Sequence, residues 1–220
     1  MLKPEEVALF AAAREKLYSA AIGDVLDSMD LHRNFLPARI RPLTPDMVVV
    51  GKAAPVVVSD GIGTGDRPAG KLLEALDSLS EGDVYITNGG SSEYALWGEL
   101  LSTRATHLKA AGAVMNGHHR DTAGILSVGF PTFSWGAWAQ DIRYRGVVVD
   151  WNVPIEVGGI PVRPGDIVFG DRDGVLVVPA RLAEAVFRLA LEKVETENKV
   201  RDAFRRGMPA VEAWDTYRVM

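Results

Sequence analysis

The chain has no cysteine and only four histidines in 220 residues. That excludes a disulfide framework, a thiol nucleophile, an iron–sulfur cluster and a thiolate zinc site, and it leaves few imidazole ligands. Any metal is expected to be held by oxygen. Charge of one sign is not concentrated either: 24 basic residues stand against 29 acidic ones, a net charge of −5, with no block of five like charges. This argues against nucleic acid as a direct ligand and against a solvated acidic tail. Long hydrophobic runs are missing. The longest, such as Met47–Val50, fall far short of the roughly 18 residues that span a bilayer, and Met1–Arg14 has no cationic region before an apolar one. No membrane partner is expected, and the location is expected to be cytoplasmic. The chain also lacks a Gly-x-Ser-x-Gly elbow and a His-Glu-x-x-His helix, the commonest serine-hydrolase and zinc-protease signatures.

What is present is a hydrophobic content of 47%, enough for a sizeable core, and a length that suits one compact domain over residues 1–220. The first thirty residues read as helix. Pro4 suits a first turn, and Ser19 can cap a second segment whose Ile22, Val25, Leu26 and Met29 follow helical spacing. The β-branched run Val48–Val58 predicts a strand, Ser59–Arg67 a glycine-rich loop, and Leu72, Leu73, Leu76 and Leu79 a helix. A second unit follows: strand Val84–Thr87, loop Asn88–Ser92 and helix Glu93–Ala111, with Ala113–Asn116 as the next strand. Beyond Gly117 the turn chemistry predicts mostly hairpins, around Gly158-Gly159 and Asp173-Gly174. Ala180–Arg206 reads as a long charged helix. Its Leu182, Val186, Leu189 and Val200 look too sparse for a buried stripe along its whole length, so part of it is expected to reach a neighbouring subunit.

Two phosphate-loop resemblances fail on chemistry. Gly65-Asp-Arg-Pro-Ala-Gly70-Lys71 has P-loop spacing, but position 72 is Leu where a hydroxyl should hold magnesium, and Pro68 removes a backbone donor. Gly61-Ile-Gly63-Thr-Gly65 has Asp66 where a dinucleotide fingerprint needs its third glycine. Adjacent His118 and His119 would point to opposite faces of an extended segment, so one metal is not expected to take both.

Two segments remain: Trp97-Gly98-Glu99-Leu100-Leu101 near a helix start, and Asn116-Gly117-His118-His119-Arg120-Asp121 after the following strand. The topology of strand, helix and strand should bring them together. Amides near Leu100 and Leu101 and the Arg120 guanidinium are carboxylate receptors, while Glu99 and Asp121 are hard oxygen ligands suited to magnesium or manganese. Together they describe a site for a small keto acid. An Arg120–Asp121 turn beside a Glu99 that only satisfies the helix dipole explains the residues equally well.

Further segments carry a family resemblance: Ser19-Ala-Ala-Ile-Gly-Asp24-Val-Leu-Asp27, Glu81-Gly-Asp-Val84, Ala95-Leu-Trp-Gly-Glu-Leu-Leu101, Gly158-Gly-Ile-Pro-Val-Arg-Pro-Gly-Asp166 and Gly170-Asp-Arg-Asp-Gly174-Val-Leu-Val-Val-Pro179. From about Ser19 to Gly207 the chain resembles the family of the regulator of ribonuclease E activity A (RraA) and the 4-hydroxy-4-methyl-2-oxoglutarate aldolases. The spacing of 21 residues between Gly98 and the Arg120-Asp121 pair is quite specific to it. The resemblance implies an α/β (α+β) fold with an αββα sandwich and mixed sheets, a homotrimer or homohexamer, and a site between subunits. It matches Asp121 to the direct metal ligand, Glu99 to an acid holding metal-bound water, and Arg120 to the group that binds the keto oxygen. Gly98 and the Leu100 and Leu101 amides match the receptor for the pyruvyl carboxylate. A glutamate from a neighbour's C-terminal helix matches Glu197 best, with Glu195 second. Asn116 departs from the Asp of many members, and the His118-His119 pair from their small or apolar residues; both are expected beside the pocket.

The activity implied is cleavage of a 4-hydroxy-2-oxo acid to pyruvate and a second carbonyl compound, dependent on Mg2+ or Mn2+, with oxaloacetate decarboxylation through the same enolate. Alternatives are a lyase or decarboxylase for another, sugar-derived oxo acid, and a non-enzymatic, protein-binding regulator resembling the ribonuclease regulator.

Overall fold

The computed structural model describes residues 4–63, 67–90 and 93–219. Helices α1 (Pro4–Lys16) and α2 (Ser19–Ser28) open the chain, followed by strands β1 (Arg41–Pro42) and β2 (Val49–Asp60), helix α3 (Leu72–Asp77) and strand β3 (Asp83–Thr87). Strand β4 (Ala95–Trp97), helix α4 (Glu99–His107), strands β5 (Gly112–Met115) and β6 (His118–His119), helix α5 (Thr122–Val128) and strand β7 (Thr132–Ser134) come next. Strands β8 (Gly146–Trp151), β9 (Ile155–Val157), β10 (Ile160–Val162), β11 (Ile167–Asp171) and β12 (Gly174–Val178) then lead through a 3-10 turn, Ala180–Leu182, into α6 (Ala183–Arg205) and α7 (Ala210–Tyr217). Gly65, Asp66 and Ser91–Ser92, which fall in the two predicted loops, lie outside the described residues.

The main sheet runs β1-β7-β5-β3-β2-β11-β12, with β8 also on β2. Its centre, β7-β5-β3-β2, is parallel, and the flanking pairs are antiparallel. The sheet curls almost shut. Phe35 bridges to Leu176, and the Arg41 guanidinium reaches the Asp173 carbonyl across the gap. Strand alternation then sorts the side chains. Val84, Ile86, Val114, Val168 and Val177 face inward to one apolar layer. Outward, Val50, Phe169 and Leu176 meet Phe10 of α1, Ile22 of α2 and Phe187 of α6, while Tyr85, Ala113 and Met115 meet Leu76 of α3, Ala105 of α4 and Ile125 of α5. Helices therefore cover both outer faces of the folded-over sheet, giving the αββα layering with mixed strands.

Some expectations need correction. The span Glu93–Ala111 is not one helix: Ala95–Trp97 is a strand, because pairing with β6 overrides the local helical pattern, and α4 begins at Glu99. The second half is not only hairpins, since α5 and β7 interrupt it and α7 follows the long helix. The stripe on α6 is not sparse. Ala183, Val186, Phe187, Ala190, Val194, Val200 and Ala203 are buried, at helical spacing, within this subunit. The three alanines among these seven residues are small enough to bring α6 close to its neighbours.

Ser19 is not the cap of α2 but its first residue, and the acceptor comes from the β11–β12 turn. Asp171 accepts from the Ser19 amide at 2.7 Å, the Ser19 hydroxyl at 2.7 Å and the Asp173 amide at 2.9 Å. A buried carboxylate thus ties a helix start to a hairpin 152 residues away. Replacing it with an amide puts a donor against donors. Asp171→Asn is expected to lower unfolding free energy by about 1.5–3 kcal/mol in urea titrations with an unchanged m-value, a cost in line with losing hydrogen bonds to a charged group.

Candidate active site

Strand β4 pairs in parallel with β6, Ala95 opposite His118 and Trp97 opposite His119. The Arg120 amide extends this pairing by donating to the Trp97 carbonyl at 2.9 Å. The Trp97 ring is locked in turn: it lies 4.8 Å from Tyr85 and 5.9 Å from Phe130 between centroids, and its indole N–H donates to Ser102 Oγ at 2.8 Å. Ser102 Oγ donates to the Gly98 carbonyl at 3.0 Å. The start of α4 is therefore fixed from both sides. Leu100 and Leu101 fall in its first turn, where no preceding helical carbonyl can accept from their amides. Had the helix begun at Glu93, those amides would have been spent inside it.

Asp121 stands at the N-terminal cap of α5 with φ 57°, in the left-handed region, which turns its carboxylate back toward α4. Asp121 Oδ2 accepts from the Glu99 amide at 3.3 Å and lies 3.6 Å from Arg120 Nε. A Cβ at Gly98 would stand 2.6 Å from Asp121 Oδ2, so only glycine leaves that oxygen open. Gly124 gives the same room to Glu99, whose Cγ would be 2.5 Å from an added Cβ. Glu99 Oε1 accepts from Thr103 Oγ1 at 2.8 Å. On its other side, the Arg120 guanidinium is 3.4 Å from Asp141 Oδ2, an oxygen that Arg143 also reaches at 3.4 Å.

These groups line a cleft of about 350 Å³, in which Gly98, Leu100, Leu101, Arg120 and Asp121 come together. Glu99 borders it through its amide contact to Asp121. Glu197 is elsewhere. Its largely buried carboxylate accepts from the Tyr18 hydroxyl and pairs with Lys193 at 3.3 Å, and it lines a separate hollow with Phe204 and Val219. Burial pushes its carboxyl up, with Arg201 pulling the other way. Glu195 is exposed on the same helix. Asn116, His118 and His119 do not line the cleft themselves, but the histidines directly precede Arg120 and Asp121, which do. His118 packs on Trp135 and Trp138, and Asn116 Nδ2 donates to the Asn88 carbonyl at 2.8 Å. Asp141 and Arg143 are lining residues that sequence reasoning missed; the Asp141-Ile-Arg143 alternation of opposite charges around an apolar residue was the available signal.

Among the described residues no three His, Asp or Glu side chains are grouped so as to hold a metal. The donor set therefore does not suit a protein-enclosed ion such as structural zinc. It does suit magnesium, which keeps several waters and is often held by one or two carboxylates. Asp121 Oδ2, facing the space that Gly98 leaves, is one carboxylate oxygen of the cleft, and Asp141 Oδ2, between Arg120 and Arg143, is another.

Comparison with known proteins agrees with this fold. The Aldolase/RraA family model of the RraA-like group matches residues 19–177, and the chain belongs to that family. A Halalkalibacterium halodurans protein, provisionally named a 4-hydroxy-4-methyl-2-oxoglutarate aldolase, is 32% identical over 197 residues, 89% of each chain. Protein DlpA of Legionella pneumophila is 29% identical over 202 residues, 90% of this chain but only 32% of DlpA, so the chain spans about a third of that relative. The crystal structure of Streptomyces coelicolor RraAS2, described as an unusual member of the RNase ES inhibitor RraA family, superposes with a TM-score of 0.77 at 24% identity, covering 91% of this chain and 97% of that one. No helix among the described residues is long and apolar enough to cross a membrane.

His119 is buried beneath Asp121. One ring nitrogen is 2.7 Å from Ser134 Oγ and the other 2.9 Å from Thr122 Oγ1. Burial pushes its pKa below the ordinary 6.5, His118 adds to the shift, and Asp121 opposes it. The folded chain therefore disfavours the protonated ring, so stability is full above 6.5 and is lost as pH falls below it. Between about pH 7.5 and about pH 5.5, wild type is expected to lose more unfolding free energy in urea titrations than His119→Gln does. Parallel losses in the two proteins would exclude His119 as the titrating group.

Proposed function

We propose that this chain is a divalent-metal-dependent pyruvate aldolase, a carbon–carbon lyase that cleaves a 4-hydroxy-2-oxo acid such as 4-hydroxy-4-methyl-2-oxoglutarate into pyruvate and a carbonyl compound. Oxaloacetate decarboxylation is the expected side activity. The observation that carries the reading is the joining of the α4 first turn to the Arg120–Asp121 turn across Gly98. It places two free amides, a guanidinium and an open carboxylate in one cleft. Membership of a family with relatives named as aldolases supports it.

In this reading the Leu100 and Leu101 amides hold the substrate's C1 carboxylate at the positive end of α4. Arg120 donates to the C2 keto oxygen, and the contact strengthens as that oxygen gains charge. Asp121 holds the Mg2+ or Mn2+, which when bound supplies Lewis-acid stabilisation of that charge. Glu99 orders the water that takes the C4 hydroxyl proton as the C3–C4 bond breaks and returns it to C3 of the pyruvate enolate. Glu197 lies outside its own subunit's cleft, and we assign it to a neighbour's, in a homotrimer or homohexamer. Leu100 and Leu73, 76% and 60% exposed at the cleft rim, are apolar surface for such a neighbour to cover.

Pyruvate release from a panel of 4-hydroxy-2-oxo acids, with and without EDTA, tests the activity; no release from any of them overturns it. Asp121→Asn is expected to lower oxaloacetate turnover by well over tenfold, and a smaller loss removes Asp121 as the metal ligand. Arg120→Lys keeps the charge but not the planar fork, so kcat and KM should both worsen. Mixing inactive Asp121→Asn subunits with inactive Glu197→Gln subunits should restore part of the activity. If mixed oligomers form and none returns, the shared site fails.

A further inference from the structure

The aldolase reading gives work to one side of the cleft and leaves the opposite wall unexplained. That wall carries Arg143, on a segment fixed to the same scaffold. The Ala95 amide donates to the Gln140 carbonyl at 2.8 Å, and Ala95 and Asp141 form a bridge beside β4, so residues 140–143 ride on the strand that leads into α4. Asp141 then sets the arginine: its Oδ1 accepts from the Arg143 amide at 3.2 Å, and its Oδ2 lies 3.4 Å from the guanidinium. Such a half-exposed ion pair contributes little to stability, so it is poorly explained as a fold-stabilising contact.

Two features of the cleft say what Arg143 would meet. The first is distance. Arg120 and Arg143 both stand 3.4 Å from Asp141 Oδ2, so the facing nitrogens can be no further apart than twice that. In a five-carbon oxo diacid, three bonds of about 1.5 Å separate the keto carbon from the far carboxyl carbon, a reach of roughly 4 Å. A substrate with its keto oxygen on Arg120 can thus set a distal carboxylate on Arg143. The second is chemistry. Among the described residues, the lining side chains are charged or apolar, and none is Ser, Thr, Asn, Gln, His or Tyr. Leu72, Leu101 and Ile142 supply the apolar part. A short aliphatic chain ending in a carboxylate sets its methylenes on these apolar groups and its charge on a guanidinium.

We propose that Arg143, oriented by Asp141, is the receptor for a carboxylate on the aldol-acceptor half, so that the chain selects 4-hydroxy-2-oxo dicarboxylic acids over their monocarboxylic analogues. The proposal rests on the aldolase reading for the placement of the pyruvyl half. Arg143 is a specificity-determining residue here, since it contacts the part of the substrate that does not become pyruvate. Asp141 is a positioning residue, shared between the two guanidiniums.

The test compares wild type, Arg143→Ala and Arg143→Lys in two assays. In turnover, the ratio of kcat/KM for 4-hydroxy-4-methyl-2-oxoglutarate over 4-hydroxy-2-oxopentanoate is expected to fall about thirtyfold in Arg143→Ala and to recover in part in Arg143→Lys, the size expected for one charge-assisted contact. In calorimetry with magnesium present, wild type should bind 2-oxoglutarate more tightly than 2-oxopentanoate, and Arg143→Ala should level the two. Equal weakening of both ligands, or no preference in wild type, overturns the proposal whatever the turnover shows. A binding preference that depends on Arg143, without pyruvate release from any 4-hydroxy-2-oxo acid of the panel, overturns the aldolase reading and leaves the carboxylate receptor standing.

Discussion

A single backbone hydrogen bond, from the Arg120 amide to the Trp97 carbonyl, sets the distance between the two halves of the cleft. It extends the short β4–β6 pair by one residue and ends where both strands turn into helices, α4 on one side and α5 on the other. Two helix starts therefore face each other across a gap one glycine wide. Both present unpaired amides, which favour negative charge, and the chain has filled the gap accordingly: Asp121 stands at the N-terminal position of one helix while its oxygen accepts from the first amide of the other. The rest follows from this constraint. Gly98 has no side chain because Asp121 Oδ2 occupies the space, and Gly124 has none because Glu99 does.

Charge in the cleft is arranged as an alternating series. Asp121, Arg120, Asp141 and Arg143 stand in order, each with an opposite charge within 3.6 Å or less. In such a series each guanidinium is held by carboxylates until an anionic ligand competes for it, so the site keeps its arginines oriented without closing them to substrate. Half-exposed pairs of this kind are cheap to exchange, because water and a ligand carboxylate can replace each contact. A deeply buried pair would resist that exchange. The exposure of the cleft therefore suits recognition better than stability.

Much of the frame was legible because periodicity reported burial directly. The α2 stripe of Ile22, Val25 and Leu26, the central strands and the hairpins around Gly158-Gly159 and Asp173-Gly174 all lie where alternation or turn residues put them. The Arg120–Asp121 turn meeting the Gly98 segment was legible too. What local pattern could not report was tertiary pairing. Ala95–Trp97 has helix-compatible residues and becomes a strand only because His118–His119 lies alongside. The alanines of α6 carried no visible stripe, since their burial comes from close approach and not from hydrophobic bulk. Asp171 shows the same limit at a cap, where the acceptor for Ser19 comes from a turn far along the chain. Asp141 and Arg143 reach the cleft through a loop marked only by a three-residue alternation, too short to place them there.

Asn116 and the His118-His119 pair then acquire a physical meaning. They are not among the residues that line the cleft, so they bear on what supports the site and not on what the site touches. His119 joins Ser134 at the end of β7 to Thr122 at the start of α5, directly beneath the left-handed Asp121. A small or apolar residue there could fill space but could not hold both hydroxyls. The histidine therefore couples the main sheet to the turn that carries Asp121, a residue kept in a backbone region that non-glycine residues seldom occupy. Recognition in the cleft and rigidity beneath it are thus carried by different residues of one short strand pair and its continuation, which lets either change while the Trp97–Arg120 contact stays in place.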